Sequence, residues 1–121
     1  MKFLVVDDSG TMRRIVTNSL QRIGYTEVVE AEDGQEALGL FDDSVDFVIT
    51  DWNMPKLSGI DFTRAIRVKD ARVPILMVTT RSVREDILAA AEAGVNNYIV
   101  KPFTPQVLKE KIDQVLAVAT A

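Results

Sequence analysis

Asp7 and Asp8, Asp51, Thr79 and Thr80, and Lys101 each follow directly on a short apolar run. If those runs end on one rim, three carboxylates, two hydroxyls and an ammonium share a small volume. Three carboxylates so placed repel, since two unit charges 4 Å apart cost roughly 4 kcal/mol at an effective dielectric near 20. A cation must join them. All-oxygen donors favour a hard cation, and a few carboxylates with open water positions suit Mg²⁺ better than an all-protein calcium cage. An acid beside Mg²⁺ can attack a phosphoryl group to give an aspartyl phosphate. Lys101 would supply a second positive charge there, and the Thr79 hydroxyl a donor to a phosphoryl oxygen.

Taken singly, each residue has a plainer explanation. Asp8 or Ser9 would cap a helix, Asp51 is a turn acid before Pro55, and Thr79 is the β-branched end of a strand. Lys101 is a solvated cation and Tyr98 a packed strand aromatic. Convergence decides, because independent accidents need not fall on one end of one sheet.

Composition narrows the choices. The 121 residues suit one domain spanning residues 1–121, long enough to bury a core without staples. The absence of cysteine removes disulfides, thiolate metal sites and a thiol nucleophile. The absence of histidine removes the commonest general base, the commonest zinc ligand and a phosphohistidine carrier role. Fourteen basic against eighteen acidic residues give a net charge of −4 without a Lys/Arg block, which argues against nucleic acid and against a polybasic membrane anchor. The opening "MKFLVVDDSG" is too short in apolar residues for a signal peptide or a membrane span, so a cytoplasmic protein is the simplest reading.

The elements that position these residues alternate. Apolar runs at Phe3–Val6, Val28–Ala31, Phe47–Thr50, Ile75–Val78 and Tyr98–Val100 are interleaved with segments of helical period, which predicts parallel strands joined by crossover helices. Near-continuous Val, Ile and Leu suggests central strands covered on both faces. The first helix carries the stripe Met12, Ile15, Val16, Ser19, Leu20 and Ile23 and stops at Gly24; the second runs from about Gly34 to Phe41. Ser58 with Asp61 opens the third, and Ser82 with Glu85 reads as a capping box for the fourth, which ends at Gly94. Thr104 and Pro105 begin the fifth, with Leu108, Ile112 and Val115 as its buried seam. The resulting fold class is α/β, a doubly wound (βα)5 flavodoxin-like sandwich with strand order 2-1-3-4-5. Its ligands bind beyond the carboxyl ends of the strands, at the switch point between strands 1 and 3.

At these residues the chain resembles a known family. "LVVDDS", "VITDWNMP", "MVTT" and "YIVKPFTP" occur in the order and spacing of the response-regulator receiver domain, over essentially the whole chain. "VDDSGTMRRIV" and "DWNMP" are most similar to the stand-alone chemotaxis regulators of the CheY type. The resemblance implies a two-component signalling switch that takes a phosphoryl group from a histidine kinase onto Asp51. It implies Mg²⁺ held directly by Asp8, Asp51 and the backbone carbonyl of Asn53, with Asp7 acting through metal-bound water. Lys101 becomes the pocket lysine, Thr79 the hydroxyl that follows the phosphoryl group, and Tyr98 the aromatic whose inward rotamer accompanies activation. The Lys101–Pro102 bond is expected to be cis. Carried across by position, the partner face contains Arg84, Ile87, Ala91, Val95, Tyr98, Val100 and Lys111. The implied partners are a chemotaxis-type kinase, a flagellar motor switch protein or other downstream protein, and a phosphatase, all met by a monomer.

Three departures from typical relatives stand out, one of them a "VKDARVP" connection before strand 4 that is a few residues short. Arg81 replaces an acid or a small residue and, with Asn53, flanks the path of the hydrolytic water; "RSVRED" carries fewer lysines than the usual start of helix 4. The expected protein is not an enzyme beyond its own phosphorylation and dephosphorylation. A phosphorelay intermediate is the alternative within the family. An aspartyl-nucleophile phosphatase is the alternative outside it, and it wants a second acid two residues after the nucleophile, where this chain has Asn53. An FMN carrier of the same fold is excluded by acids placed where the FMN phosphate would sit.

Overall fold

The computed structural model describes residues 1–120, with side chains described through Val118. Five strands, β1 (Lys2–Val6), β2 (Glu27–Ala31), β3 (Phe47–Thr50), β4 (Ile75–Thr79) and β5 (Asn97–Val100), alternate with five helices. These are α1 (Gly10–Ile23), α2 (Gly34–Leu40), α3 (Gly59–Lys69), α4 (Arg84–Ala93) and α5 (Pro105–Thr120). All neighbouring strands pair in parallel, in the order β2-β1-β3-β4-β5 expected from the alternation.

The sheet divides the core in two. Phe3, Val5, Phe47, Ile49, Leu76 and Val78 point to the face where Val16 and Leu20 of α1 and Leu108, Ile112 and Val115 of α5 pack. Leu4, Val6, Val48, Ile75 and Met77 point to the face covered by α2, α3 and α4 through Ala37, Ile60, Phe62, Ile66, Ala90 and Ala93. Both periods, two along a strand and near 3.6 along a helix, are therefore satisfied by one sheet between two helix layers. β1, β3 and β4 are buried on both faces apart from Lys2, as expected of central strands, whereas the edge strands β2 and β5 expose Glu27, Glu30 and Val100.

Helix ends follow local chemistry with one exception. Ser9 Oγ accepts the Met12 N–H at 3.2 Å, Ser58 Oγ the Asp61 N–H at 3.2 Å, and Thr104 Oγ1 the Val107 N–H at 3.2 Å. The Ser82/Glu85 box does not form. α4 starts one residue later, with Val83 as N-cap and no side-chain cap bond. Ile15, expected in the buried stripe of α1, is 44% exposed at its flank.

At its other end α4 is anchored. The Arg67 guanidinium donates to the carbonyls of Gly94 (2.8 and 3.0 Å), Val73 (2.7 Å) and Asp70 (3.2 Å) and to Asn96 Oδ1 (2.9 Å). Burial pulls the Arg67 pKa below its ordinary value, with the Asp70 charge opposing. Gly94 has φ +113°, and a Cβ there would lie 2.7 Å from Arg67 Cγ, so both backbone and packing require glycine.

Candidate functional site

The carboxyl ends of β1, β3, β4 and β5 deliver the predicted groups to one rim. Asp7 and Asp8 follow β1, and Asp51 follows β3, whose N–H bonds to the Val6 carbonyl at 2.9 Å and so holds the two acidic loops side by side. One oxygen from each of Asp7, Asp8 and Asp51 lies within 4.8 Å of the other two; Asp7 is buried, Asp51 half-buried and Asp8 exposed. Lys101, after β5, reaches Asp7 Oδ2 at 3.0 Å and Asp51 Oδ2 at 3.2 Å, with its side chain 12% exposed. The predicted ammonium therefore meets two of the three predicted acids, and the Lys101–Pro102 bond is cis.

The Asp51 carboxylate is fixed at both oxygens, since Oδ1 accepts the Trp52 N–H at 2.6 Å while Oδ2 takes Lys101. What lets the chain turn away so tightly is Gly59. Its N–H bonds to the Trp52 carbonyl at 2.8 Å, and a Cβ at this position would fall 1.9 Å from the Asp51 carbonyl oxygen. Asp7 is held as firmly: its N–H bonds to the Ala31 carbonyl at 3.1 Å and its Oδ1 accepts the Ser9 N–H at 2.9 Å.

This donor set fits Mg²⁺. It is all oxygen, it clusters three carboxylates with one solvent-facing member, and Asn53 stands in the same loop as Asp51 with a further carbonyl to offer. Three acids against one lysine also leave a negative excess that a divalent ion offsets.

Thr79 and Tyr98 are placed by the loop after β4. Thr79 is fully buried, and its Oγ1 accepts the Arg81 N–H at 3.3 Å; among the described residues it makes no hydrogen bond to Asp51. The Tyr98 hydroxyl donates to the Arg81 carbonyl at 2.9 Å, and the half-buried ring packs against the core under α4. Burial pushes the Tyr98 phenol above its ordinary value, with the Asp86 charge adding, Arg81 opposing and Asp51 adding less.

Arg81 and Asn53, paired in the sequence reading only by position, are in contact. Arg81 Nη2 and Nε donate to Asn53 Oδ1 at 2.8 and 3.3 Å, the guanidinium lies 4.5 Å from the Trp52 ring centroid, and Nη1 meets Asp86 at 3.4 Å. The side chain thus closes a clasp between the loops after β3 and β4, which the sequence did not reveal because it depends on two loops meeting. Arg13 was also passed over, although its place in the first turn of the helix after Asp7 and Asp8 aims its side chain back toward them.

Of the positional partner face, Arg84, Ile87, Ala91 and Val100 are exposed, and Tyr98 and Lys111 are half-buried. Val95 is buried and is floor rather than surface. Ile87, Ala91, Val95 and Tyr98 line a shallow groove of about 180 Å³ between α4 and β5. A 540 Å³ cavity opens at the opposite ends of β4 and β5, lined by Arg72, Asn96 and Gln114 among others, far from the acids in the fold.

Residues 3–113 match the family described as the response regulator receiver domain. The chain is 54% identical to chemotaxis protein CheY1 of Helicobacter pylori over 121 residues, covering 96% of this chain and 97% of that protein. It is 52% identical to chemotaxis protein CheY of Pseudomonas aeruginosa over 118 residues, covering 95% of each. Among solved structures, Vibrio cholerae chemotaxis protein CheY4 superposes with a TM-score of 0.88 at 38% identity, over 94% of this chain and 97% of that one.

Proposed function

The chain belongs to the response regulator receiver domain family, and from that premise we propose that it is a phosphorylation-activated switch of chemotaxis signalling. The observation that carries this reading is the Asp7/Asp8/Asp51 cluster bridged by Lys101 at 3.0 and 3.2 Å. Asp51 is the phosphoacceptor. A carboxylate oxygen forms a bond to phosphorus as the P–N bond of a kinase phosphohistidine breaks, and the leaving imidazole picks up a proton. Asp8, Asp51 and the Asn53 carbonyl would hold Mg²⁺ directly and Asp7 through metal-bound water, and the ion would supply charge to offset that of the transferring oxygens. Lys101 supplies a fixed ammonium beside the acceptor.

The output follows from the loop after β4. Thr79 turns its hydroxyl from the Arg81 N–H toward the new phosphoryl group, and the loop shifts with it. Because Tyr98 is hydrogen-bonded to the Arg81 carbonyl, that shift is felt at the groove between α4 and β5. The equilibrium between two loop arrangements changes, and with it the face of Arg84, Ile87, Ala91, Val100 and Lys111. Arg81 and Asn53 set how readily water reaches the aspartyl phosphate.

Residues 1–121 act as one receiver domain, a monomer in the cytoplasm. No helix among the described residues is long and apolar enough to cross a membrane. Its partners are a chemotaxis-type histidine kinase and a flagellar motor switch protein. It turns over no substrate beyond its own phosphoryl group.

The test is intact-mass measurement after addition of Mg²⁺ and acetyl phosphate to the wild type and to Asp51→Asn. A phosphoryl adduct on the wild type alone supports the assignment. No adduct, or an equal adduct on the variant, refutes it.

A further inference from the structure

Asp8 is the exposed member of the acid cluster, and among the described residues its carboxylate makes no hydrogen bond and no ion pair. No side-chain partner aims it. Its direction is therefore set by the backbone, and above all by the peptide that joins Asp7 to Asp8. The orientation of that peptide fixes ψ of Asp7 and φ of Asp8 together.

One cation grips this peptide. Arg13, in the first turn of α1, donates from Nη1 to the Asp7 carbonyl at 2.7 Å, and from Nε to Glu30 Oε1 of β2 at 3.2 Å. Its side chain is 19% exposed, against 47% for Glu30. The guanidinium is a planar fork spanning the two acceptors, so it ties the β1–α1 loop to β2 in one orientation. With the Asp7 N–H held by Ala31 and the Asp7 carboxylate by Ser9 and Lys101, the Arg13 bond is the contact that fixes the side of the peptide facing Asp8.

We propose that Arg13 is a positioning residue of the divalent-cation site, setting Mg²⁺ affinity by holding the Asp7–Asp8 peptide so that Asp8 is aimed before the ion arrives. The inference rests on the reading of the acid cluster as a Mg²⁺ site. Positioning and charge act in opposite directions here. A guanidinium near the cluster repels a cation, so a role through charge alone means that a lysine at this position changes nothing. Lysine keeps the charge but is a single point without the fork, so a positioning role means that it weakens binding. Loss of an outer partner of a metal ligand typically costs 10- to 100-fold in affinity; the grip here is on backbone, so about tenfold is expected.

The experiment is calorimetric titration of Mg²⁺ into the wild type, Arg13→Lys and Glu30→Gln in high salt, where exposed charges are screened. Urea midpoints without Mg²⁺ separate a stability loss from an affinity loss. The proposal expects Arg13→Lys to bind about tenfold more weakly, and Glu30→Gln, which turns the charge-assisted bond on one arm of the fork into a weaker neutral one, about two- to threefold more weakly. Arg13→Lys binding within twofold of the wild type overturns it, whatever its urea midpoint. If Arg13→Lys does not fold, unchanged affinity in Glu30→Gln overturns it instead. A wild type that binds no Mg²⁺ overturns the metal reading rather than the role of Arg13.

Discussion

Lys101→Met removes the one ammonium among the described residues that touches the acid cluster while keeping most of the length of the side chain. In the free protein Lys101 lies 3.0 Å from Asp7 and 3.2 Å from Asp51, with the three side chains 12%, 6% and 11% exposed. At an effective dielectric near 20, each contact is worth about 5 kcal/mol of Coulomb attraction before desolvation is subtracted. Breaking such a buried pair by removing one partner costs about 3–5 kcal/mol net, because the remaining charges stay buried without compensation. Chemical unfolding in urea without divalent ions should therefore show a loss of about 3 kcal/mol. Saturating Mg²⁺ should return more stability to the variant than to the wild type. The variant offers the ion three acids with no competing ammonium, and each tenfold gain in affinity adds about 1.4 kcal/mol at a given Mg²⁺ concentration. Equal stabilisation of the two proteins by Mg²⁺ would refute the reasoning, since it would mean that Lys101 and the ion do not answer the same negative charge. So would a variant as stable as the wild type in metal-free buffer.

Three further perturbations test other parts of the site. Arg81→Ala opens the clasp across Asn53 and Trp52; it should shift Trp52 emission, speed loss of the phosphoryl adduct severalfold, and cost only about 1 kcal/mol, because the Asp86 contact is partly solvated. Gly59→Ala places a Cβ 1.9 Å from the Asp51 carbonyl, so it should cost about 2–3 kcal/mol in urea unfolding and slow labelling by acetyl phosphate; labelling at the wild-type rate would count against the close turn. Asp70 accepts the Arg72 and Val73 N–H groups, which hold its pKa below the ordinary 3.8, with burial opposing. A depressed carboxylate stabilises the fold above its unfolded pKa and loses that contribution as pH falls through the lower native value. Asp70→Ala should therefore be less stable than the wild type at neutral pH, with the gap closing below pH 3.8.

Most of the fold was legible because each central strand is a run of apolar residues that ends on a polar group, and each helix but α4 begins on a residue that bonds its first turn. Asp7, Asp8, Asp51 and Lys101 could be grouped because parallel strands send their carboxyl ends to the same rim, whatever the details of packing. The rest depended on loops meeting in space. The box at Ser82 had the right residue types, yet the loop places Val83 at the helix start. Asn53 and Arg81 are 28 positions apart, and only the folded loops bring guanidinium and amide to 2.8 Å. Val95 read as surface, but its position just after the Gly94 turn sends it into the core beneath Tyr98.

Rigid and movable parts of the site fall on different elements. Asp51 and Asp7 are tied through backbone bonds to β1 and β2 and to the Gly59 turn, so the Asp51 carboxylate is pre-set by the sheet. Arg81 instead belongs to a loop whose following helix has no side-chain cap at its start, while the far end of that helix is bolted by Arg67. A helix held at Gly94 and uncapped at Val83 pivots about its far end, so in the proposed switch a shift of the loop after β4 moves the start of α4 most. In the proposed switch, a phosphoryl group that competes for Thr79 works against its single bond to the Arg81 N–H and acts through that loop on the start of α4, without disturbing the strands that hold Asp51.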